Sequence, residues 1–470
     1  MSSRSRLIEH AKSVILVVLF IATILLLYLL WGKDYLRPAA VTVLRGQAAE
    51  VNESLLVVPD YVAYGSGDGS FSLADDPAEA FAKAVAQAAG FAKLSSPTLS
   101  QITREQYRAA MTGFESVQLS FRYALPTAQF CEYYGLGKFT SSDSSESFTC
   151  FGFSEASPES IFFKDESSGS CYRLLFGEAP ASLSYRFTDA GSAQYYYCGD
   201  ILGGKADAMI ALEGESTLQA GRMLTELEAD PMLSTEIARA AYGDTFDFVR
   251  RLRDGFGTLT YMYGYGAKVL TCYTDGSFDY YDESTGRGES RGFFGDLKTA
   301  ADFVEKCGGI PKDENGGLAM QLFGAIRLDQ GRSSGYVFGF VQTEDGVPVL
   351  SDRGCSVEVE VSGGQVTRMK RAVIKASDIS GDSREVMQPA NVLAGNCNHI
   401  YNISTNSMLS VEPAEAYAYV ADNVRSMRMG LYEQEDLGTL TPCWIVLSPA
   451  ARFFFDLYDG TPLGFDLIGD

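Results

Sequence analysis

The densest group of side chains with chemical potential is a run of acids in DGSFDYYDE, residues 275–283. Its carboxylates are Asp275, Asp279, Asp282 and Glu283, which could bind a metal ion or supply the acid pair of a glycoside hydrolase. An EF-hand calcium loop needs glycine at its sixth position, whereas this run has it at the second. Strand alternation places part of the acids on a solvated face, and no pair stands out. We therefore expect no metal site and no cofactor.

A second candidate is the serine in GESRG, residues 288–292, which matches the G-x-S-x-G pattern of a nucleophile elbow. Such an elbow needs a buried strand before the serine and a helix directly after it. The preceding sequence STGR is typical of a loop. The pattern therefore predicts that Ser290 lies in a surface turn and is not a nucleophile.

Histidine is scarce, since the chain contains only His10 and His399. A zinc site built from several histidines is excluded, and a His-dependent triad would have to use His399. We accordingly assign no catalytic residue and expect a protein that is not an enzyme.

The net charge excludes some classes of binding partner. The net charge of −22 argues against nucleic acid and against anionic lipid, because both require clustered Lys and Arg. One small basic group, Arg368, Lys370 and Arg371, is predicted to be a solvated strand face, with docking of an acidic partner as the alternative.

The nine cysteines contain no C-x-x-C pair, and their odd number leaves at least one unpaired. Buried thiols are expected, and disulfides stay open.

The elements that position these groups predict an α+β fold of antiparallel sheets with a few helices. Capping residues and apolar spacing predict helices over residues 76–89, 103–112, 218–228, 234–242, 246–253, 297–307 and 411–424. Alternation predicts strands over 117–126, 258–266, 268–274, 277–283, 335–342 and 355–373. Asp-Gly and Gly-Gly pairs predict the hairpin turns between them.

The stretch from Val14 to Trp31, VILVVLFIATILLLYLLW, carries no charge. As a helix it spans roughly 27 Å, close to the hydrocarbon thickness of a bilayer. It is longer than a signal-peptide core and ends in Tyr28, Trp31 and Lys33, which suit a membrane interface. We predict a single uncleaved transmembrane helix. The flanking basic residues are balanced, and the large C-terminal mass favours a cytoplasmic N-terminus.

The predicted organisation is a short cytoplasmic segment (1–13), the transmembrane helix (14–31) and an extracytoplasmic part. The latter divides into an N-terminal ectodomain (33–203), a middle domain (204–315) and a C-terminal domain (316–470). Turn-rich sequences near 203–206 and 310–317 mark the two internal boundaries.

Several short motifs, taken in order, resemble one known family. A basic N-terminus and an apolar helix ending in Trp31 are followed by RPAAVTV and VQLSFRYALP. The C-terminal part carries YVFGFVQTEDGVPV, VEPAEAYAYV and TPCWIVL. Together they resemble the YycH/YycI family of two-component-system regulators, with greater similarity to YycH.

The resemblance implies a non-enzymatic, single-pass cell-membrane protein with its C-terminal part outside. The expected partners are the sensor histidine kinase of a cell-wall two-component system and a second, YycI-like regulator. The C-terminal unit would be YycI-like or PepSY-like. Within the membrane, the residues expected to contact a partner are Val14, Ala22, Thr23, Leu26, Tyr28 and Trp31.

Two other functions stay open at this point. One is an anchored extracytoplasmic enzyme that acts on cell-wall polymer through Asp275, Asp279 and Asp282. The other is a lipid or peptide sensor that uses the aromatic-rich region 139–200.

Overall fold

The computed structural model describes four residues near the N-terminus, Leu16, Leu19, Phe20 and Thr23, and then most of the chain from residue 51. The described ranges are 51–92, 97–137, 146–177, 191, 193–230, 232–313, 316–330, 333–351, 354–407, 411–434 and 438–468. The chain divides into two units, Met1–Ala49 and Glu50–Asp470.

In the first unit the four described residues are helical and exposed. The described part of the chain contains no helix that is both long and apolar enough to cross a bilayer. Most of the predicted anchor Val14–Trp31 lies outside the described residues, so the anchor stays a prediction.

The second unit begins with a nine-stranded sheet whose described strand pairs are all antiparallel. Its strands are β1 (Tyr61–Ser66), β2 (Phe71–Leu73), β3 (Thr98–Ile102), β4 (Glu115–Pro126), β5 (Ser147–Ser154), β6 (Ser160–Lys164), β7 (Cys171–Leu175), β8 (Tyr195–Tyr197) and β9 (Met209–Ala211). Their spatial order is β3-β7-β6-β5-β4-β1-β2-β8-β9. The helices of this part are α1 (Pro77–Ala92), α2 (Arg104–Thr112), α3 (Thr127–Tyr133) and α4 (Cys198–Leu202).

The first two helices begin where capping residues predict. The Asp76 carboxylate accepts hydrogen bonds from the backbone N–H groups of Ala78 and Glu79 at 2.9 and 3.0 Å. Thr103 and Gln106 form a reciprocal capping box at the start of α2. These bonds satisfy backbone donors that a helix start leaves unpaired.

Several phenylalanines of the region 139–200 form the hydrophobic core of the nine-stranded sheet. Phe148, Phe151 and Phe163 are fully buried and pack with Phe81 of α1 and Phe130 of α3. The hypothesis that region 139–200 offers its rings to a lipid or peptide is therefore wrong for these rings. The strands are apolar on the face that α1 covers, and burying the rings there is the larger hydrophobic gain.

The rest of the unit is built on a fifteen-stranded sheet. Its main path is β12-β13-β14-β15-β20-β19-β17-β18-β23-β24-β11-β21, with β16 on β17 and with β25 and β26 continuing from β24. β10 and β22 form a separate two-stranded sheet. The strands are β10 (Glu215–Leu218), β11 (Gly221–Thr225), β12 (Arg250–Arg253), β13 (Leu259–Tyr263), β14 (Lys268–Cys272), β15 (Phe278–Asp282), β16 (Met320–Gln330), β17 (Ser333–Glu344), β18 (Val347–Ser351), β19 (Val357–Ser362), β20 (Gln365–Arg371), β21 (Ile374–Ser377), β22 (Ser380–Glu385), β23 (Ser426–Gln434), β24 (Thr439–Leu447), β25 (Ala451–Asp456) and β26 (Pro462–Leu467).

Six further helices cover or connect these strands. They are α5 (Glu226–Ala229), α6 (Leu233–Tyr242), α7 (Phe293–Lys306), α8 (Pro389–Gly395), α9 (Cys397–Ser404) and α10 (Pro413–Asn423). Short 3₁₀ helices occur at Glu53–Leu56, Gly243–Phe248 and Gly264–Gly266. The α+β class with mostly antiparallel sheets is confirmed, and β18 with β23 is a parallel pair.

Hairpin turns occur where the sequence predicts them. The Gly363-Gly364 turn between β19 and β20 has φ values of 58° and 71°, which favour glycine. The valines at 357, 359 and 361 are fully buried, whereas Glu358 and Glu360 are partly exposed on the other face.

Two predicted helices are wrong. Residues 218–228 begin as the end of β10 and as β11, which pairs with β21 and β24, and only α5 is helical. Residues 246–253 end a 3₁₀ helix and then form β12, which pairs with β13. Pairing with strands distant in sequence overrides local helix propensity at the first site. The predicted helix at 297–307 begins earlier, at Phe293.

Candidate functional site

The residues predicted to contact a partner in the membrane are described at one position. Thr23 donates its hydroxyl hydrogen to the carbonyl oxygen of Leu19 at 2.8 Å, one turn earlier. The bond satisfies the hydroxyl within the helix. Val14, Ala22, Leu26, Tyr28 and Trp31 lie outside the described residues.

The acids of 275–283 do not form a catalytic pair. Asp275 closes the hairpin turn by accepting from Ser277, and Asp279 accepts from the Tyr273 hydroxyl at 3.4 Å. Asp282 is buried, accepts from Tyr280 and Ser284 and lies 3.5 Å from Lys268. Because Asp279 and Asp282 are three positions apart on β15, their side chains lie on opposite faces. They therefore share no cleft, and the described residues contain no group of three or more potential metal ligands.

Ser290 lies in a loop before α7 and is hydrogen-bonded to the first turn of that helix. Its hydroxyl donates to Asp296 at 2.5 Å and accepts from the Gly292 N–H at 3.0 Å, while the Arg291 N–H donates to Asp296 at 3.1 Å. A cavity of about 580 Å³ adjoins it, lined by Gln129, Gly288, Glu289, Ser290, Gly292, Arg327, Asp329, Ser333, Ser334 and Tyr336. The predicted loop is present, but Ser290 is half-buried and is not in a turn. Its hydroxyl is bonded to a carboxylate and not to an imidazole.

The predicted basic group separates into two environments. Arg368 and Lys370 lie on the exposed face of β20, opposite Tyr281 and Asp279 of β15. Arg371 is buried and forms two hydrogen bonds to Glu226, at 2.9 and 2.7 Å. The prediction that all three lie on one solvated face is wrong for Arg371, because strand alternation turns it toward the core.

All nine cysteines are free thiols in the structure, eight of them buried and Cys355 partly so. Burial raises the pKa of the thiols of Cys131, Cys272 and Cys307 to about 12. Thiols of such high pKa carry almost no thiolate at neutral pH and are poor nucleophiles.

His399 packs against aromatic rings on the face of α9. Its ring centroid lies 5.8 Å from that of Phe453 and 6.2 Å from that of Phe455, and its Nε2 has no hydrogen-bond partner among the described residues. Burial lowers the pKa of His399, because the site does not solvate the imidazolium.

This environment predicts a pH dependence. Since the folded pKa is lowered, the unfolded chain binds a proton that the folded chain resists, and stability is lost as pH falls through about 6.5. We expect the free energy of unfolding of the unaltered chain to decrease between about pH 7 and pH 5 relative to that of His399→Phe. Urea titrations at each pH measure both chains. Parallel pH profiles for the two would contradict this account.

A different surface, absent from the sequence-based candidates, combines exposed apolar and basic side chains. We define the β12 edge surface as Phe248, Phe256, Met262, Tyr263 and Tyr265 together with the strand Arg250–Arg253. Phe248 and Phe256 are 77% and 90% exposed, and Tyr265 is fully exposed. Phe248, Met262, Tyr263 and Tyr265 line one groove, whereas Phe256 lies in the turn at the other end of β12. Large exposed rings beside other apolar side chains are typical of interaction sites on soluble domains.

The backbone around this surface presents the rings outward. Phe248 ends a 3₁₀ helix directly before β12, and a groove of about 180 Å³ is lined by Phe248, Arg250, Met262, Tyr263, Gly264 and Tyr265. Tyr265 has φ of 58°, in the left-handed region that a bulky residue rarely occupies. Strained backbone of this kind is found more often at binding sites than elsewhere.

The strand itself adds an edge and a charge. β12 pairs with β13 and ends the described path of the large sheet, so its other side offers unpaired backbone groups. Arg250, Arg251 and Arg253 are exposed, and none of them forms an ion pair with a residue that the structure describes. Arg250 lies on one face of the strand and Arg251 and Arg253 on the other, where the Arg251 guanidinium is 5.8 Å from the centroid of the Tyr261 ring. In a chain of net charge −22 this concentration of arginine is a local positive charge.

Sequence reasoning missed this surface because it interpreted 246–253 as a helix. The available signal was three arginines within RRLR in an otherwise acidic chain, between exposed aromatic residues. Burial of Phe248 and Phe256 would be expected from residue type alone.

Comparison with known proteins gives matches among solved structures. No protein-family model and no curated protein matches the chain. The crystal structure of YycH from Bacillus subtilis matches at 13% identity, covers 88% of this chain and 98% of that chain, and has a TM-score of 0.52. An uncharacterized protein from Eubacterium rectale (11% identity, 53% of this chain, 86% of that chain, TM-score 0.34) and the YpeB C-terminal domain of Bacillus megaterium (15% identity, 53%, 100%, TM-score 0.26) also match. Both of these TM-scores lie below 0.5, so these two matches do not establish a shared fold. The resemblance to YycH inferred from the motifs is confirmed in the fold: this chain is similar to YycH over almost the whole of that protein.

Proposed function

We propose that this chain is a membrane-anchored, non-enzymatic regulator that associates with a sensor histidine kinase of a cell-wall two-component system. The observation that carries the proposal is the YycH-like fold over 88% of the chain. Two features of the site support it. Asp279 and Asp282 lie on opposite faces of β15, and the Ser290 hydroxyl is bonded to Asp296 in the first turn of α7.

The β12 edge surface is the proposed docking site in the extracytoplasmic part. Its occupant is an extended acidic segment of the kinase, paired with β12 through backbone hydrogen bonds. Addition of a strand to a sheet edge gives affinity through the main chain, and side chains give specificity. The arginines of β12 select acids, and the groove beside Arg250 accepts an apolar side chain.

A second contact in the proposal is the helix Val14–Trp31. It would lie against kinase helices through van der Waals packing. Because the stretch contains no G-x-x-x-G, a tight crossing with close backbone contact is not part of the proposal. A YycI-like regulator is the further proposed partner. The extracytoplasmic location of residues 33–470 is part of the same proposal.

Neutralising the arginines of β12 tests the docking site. We expect Arg250→Gln/Arg251→Gln/Arg253→Gln in the full chain to weaken co-purification with the kinase by about tenfold or more, because charge complementarity and desolvated arginine contacts are lost. The melting temperature should stay nearly unchanged, since these side chains are exposed.

The matched control is Arg368→Gln/Lys370→Gln, which removes exposed charge from β20 in the same sheet. It should leave co-purification unchanged. If the control variant no longer co-purifies with the kinase while the β12 variant still does, the docking site would lie on β20, and the assignment to β12 would be contradicted.

A further inference from the structure

Three arginines and two acids meet around one phenylalanine between the two large sheets. We call this group the arginine cluster: Asp60, Arg122, Arg428, Arg452 and Asp466, around Phe323. Asp60 precedes β1 and Arg122 lies on β4, in the first sheet; the other members lie on β16, β23, β25 and β26, in the second. The guanidinium carbons of Arg122 and Arg452 each lie 4.6 Å from the centroid of the Phe323 ring, and that of Arg428 lies 5.7 Å away.

Among the residues that the structure describes, the cluster has three arginines and two acids, so its positive charges exceed its negative charges by one. Arg122 Nε donates to both oxygens of Asp60, at 2.5 and 2.6 Å, and Arg428 Nη1 contacts the same carboxylate. Arg452 donates to Asp466 at 3.2 Å. The side chains of Asp60 and Arg122 are only 6% and 7% exposed, so water screens the surplus charge poorly. Burial and the neighbouring Arg452 lower the pKa of Arg122 to about 10, although Asp60 opposes both.

Two of these arginines have side-chain nitrogens without a hydrogen-bond partner among the described residues. Arg122 Nη2, Arg428 Nε and Arg428 Nη2 are buried and have no hydrogen-bond acceptor within the described ranges. Buried N–H groups are almost always paired in folded proteins. Nε and Nη2 of Arg428 form the edge of a guanidinium that holds two oxygens of one anion.

Arg371 provides an internal comparison. It uses its own Nε and Nη2 to bind Glu226 in that two-pronged manner, and this pair balances its charge. Arg371 also has one unpaired nitrogen, Nη1, but not an open edge. Arg428 therefore has a free edge and shares the Asp60 carboxylate with Arg122, whose Nη2 is also unpaired.

We propose that the arginine cluster binds a small oxyanion, such as phosphate or sulfate, between Arg428 and Arg122. The anion would neutralise the surplus positive charge and accept hydrogen bonds from Arg122 Nη2, Arg428 Nε and Arg428 Nη2. Because Arg122 belongs to the first sheet and Arg428 to the second, the bound anion would also fix the two sheets to each other. This inference is independent of the proposed kinase association.

The test uses inorganic phosphate and the full chain. At constant ionic strength, phosphate should raise the melting temperature in proportion to the logarithm of its concentration above the dissociation constant. Chloride is a single atom that cannot offer a separate oxygen to each N–H group, and it carries less charge than phosphate, so it should give a smaller rise. Equal effects of phosphate and chloride at equal ionic strength would reveal general screening and overturn the proposal.

Variants locate the site. Arg428→Lys keeps the charge and the contact with Asp60 but removes the two-pronged edge, so the phosphate-dependent rise should be lost. Arg371→Lys makes the same chemical change at a buried arginine whose edge is occupied, and it should retain the rise. A phosphate response that survives in Arg428→Lys would overturn the site, and if this variant does not fold, the response of the unaltered chain to phosphate and chloride still decides.

Discussion

Asp207→Asn is expected to destabilise the protein by about 3–5 kcal/mol, the cost typical of removing one partner from a buried ion pair. Asp207 is 5% exposed and contacts Lys164 at 2.5 Å, Arg104 at 2.8 Å and Arg108 at 2.8 Å. Lys164 is itself only 2% exposed, so the substitution leaves a buried ammonium with Glu166 as its remaining partner. Burial opposes ionisation of Asp207, but Lys164 and Arg104 outweigh it and hold its pKa below the ordinary value.

The loss of stability in Asp207→Asn should involve more than the first sheet. The backbone N–H of Lys205 donates to the Asp422 side chain, and that of Ala206 donates to the carbonyl oxygen of Ala421, both in α10. Asp207 therefore anchors a segment that holds α10 against the first sheet. Because the folded pKa of Asp207 is lowered, its contribution is fully present above about pH 4 and is lost as pH falls through the folded value.

Asp200→Asn is the matched control for this prediction. Asp200 contacts Arg108 at 2.6 Å but is 54% exposed, so its removal should cost less than about 1 kcal/mol. Chemical denaturation of both variants at neutral pH gives the two free energies. Equal losses would mean that the buried network around Lys164 contributes no more than a surface pair.

Phe151→Ala is the second large effect, with an expected loss of about 3–5 kcal/mol. Phe151 is fully buried on β5 and lies at the centre of the first core. Its ring centroid is 5.5 Å from that of Phe130, 6.0 Å from that of Phe148 and 6.2 Å from that of Phe163. Truncation removes these contacts and leaves a cavity that the rigid strands around it cannot close.

Phe256→Ala is the control, because Phe256 is 90% exposed. Its truncation should change the free energy of unfolding by less than about 0.5 kcal/mol. Since Phe256 belongs to the β12 edge surface, the same variant should weaken kinase association. A large loss of stability in Phe256→Ala, or none in Phe151→Ala, would contradict the core described here.

Local patterns in the sequence were sufficient for much of the fold. The caps at Asp76 and Thr103 and the Gly363-Gly364 turn depend on residues close in sequence, so pattern and structure agree. The resemblance to YycH also corresponds to the observed fold. Strand β11 was missed because its partners, β21 and β24, are far away along the chain.

The candidate sites were harder to predict for the same reason. The arginine cluster assembles side chains from positions 60 to 466, and no local spacing relates Arg122 to Arg428. The β12 edge surface was hidden by an incorrect helix over 246–253, which would have buried one apolar stripe. Exposure of Phe248 and Phe256 is a property of the tertiary structure, since residue type alone favours burial.

The most direct test of the central claim is kinase output in reconstituted vesicles that contain the sensor histidine kinase, its response regulator and the full chain. We expect phosphotransfer to change by about fivefold or more when the chain is added, the range of ordinary coupling free energies. The change should be lost with Arg250→Gln/Arg251→Gln/Arg253→Gln and retained with Arg368→Gln/Lys370→Gln. Identical phosphotransfer with and without the chain, in vesicles where both proteins are folded, would contradict the proposed role as a kinase regulator.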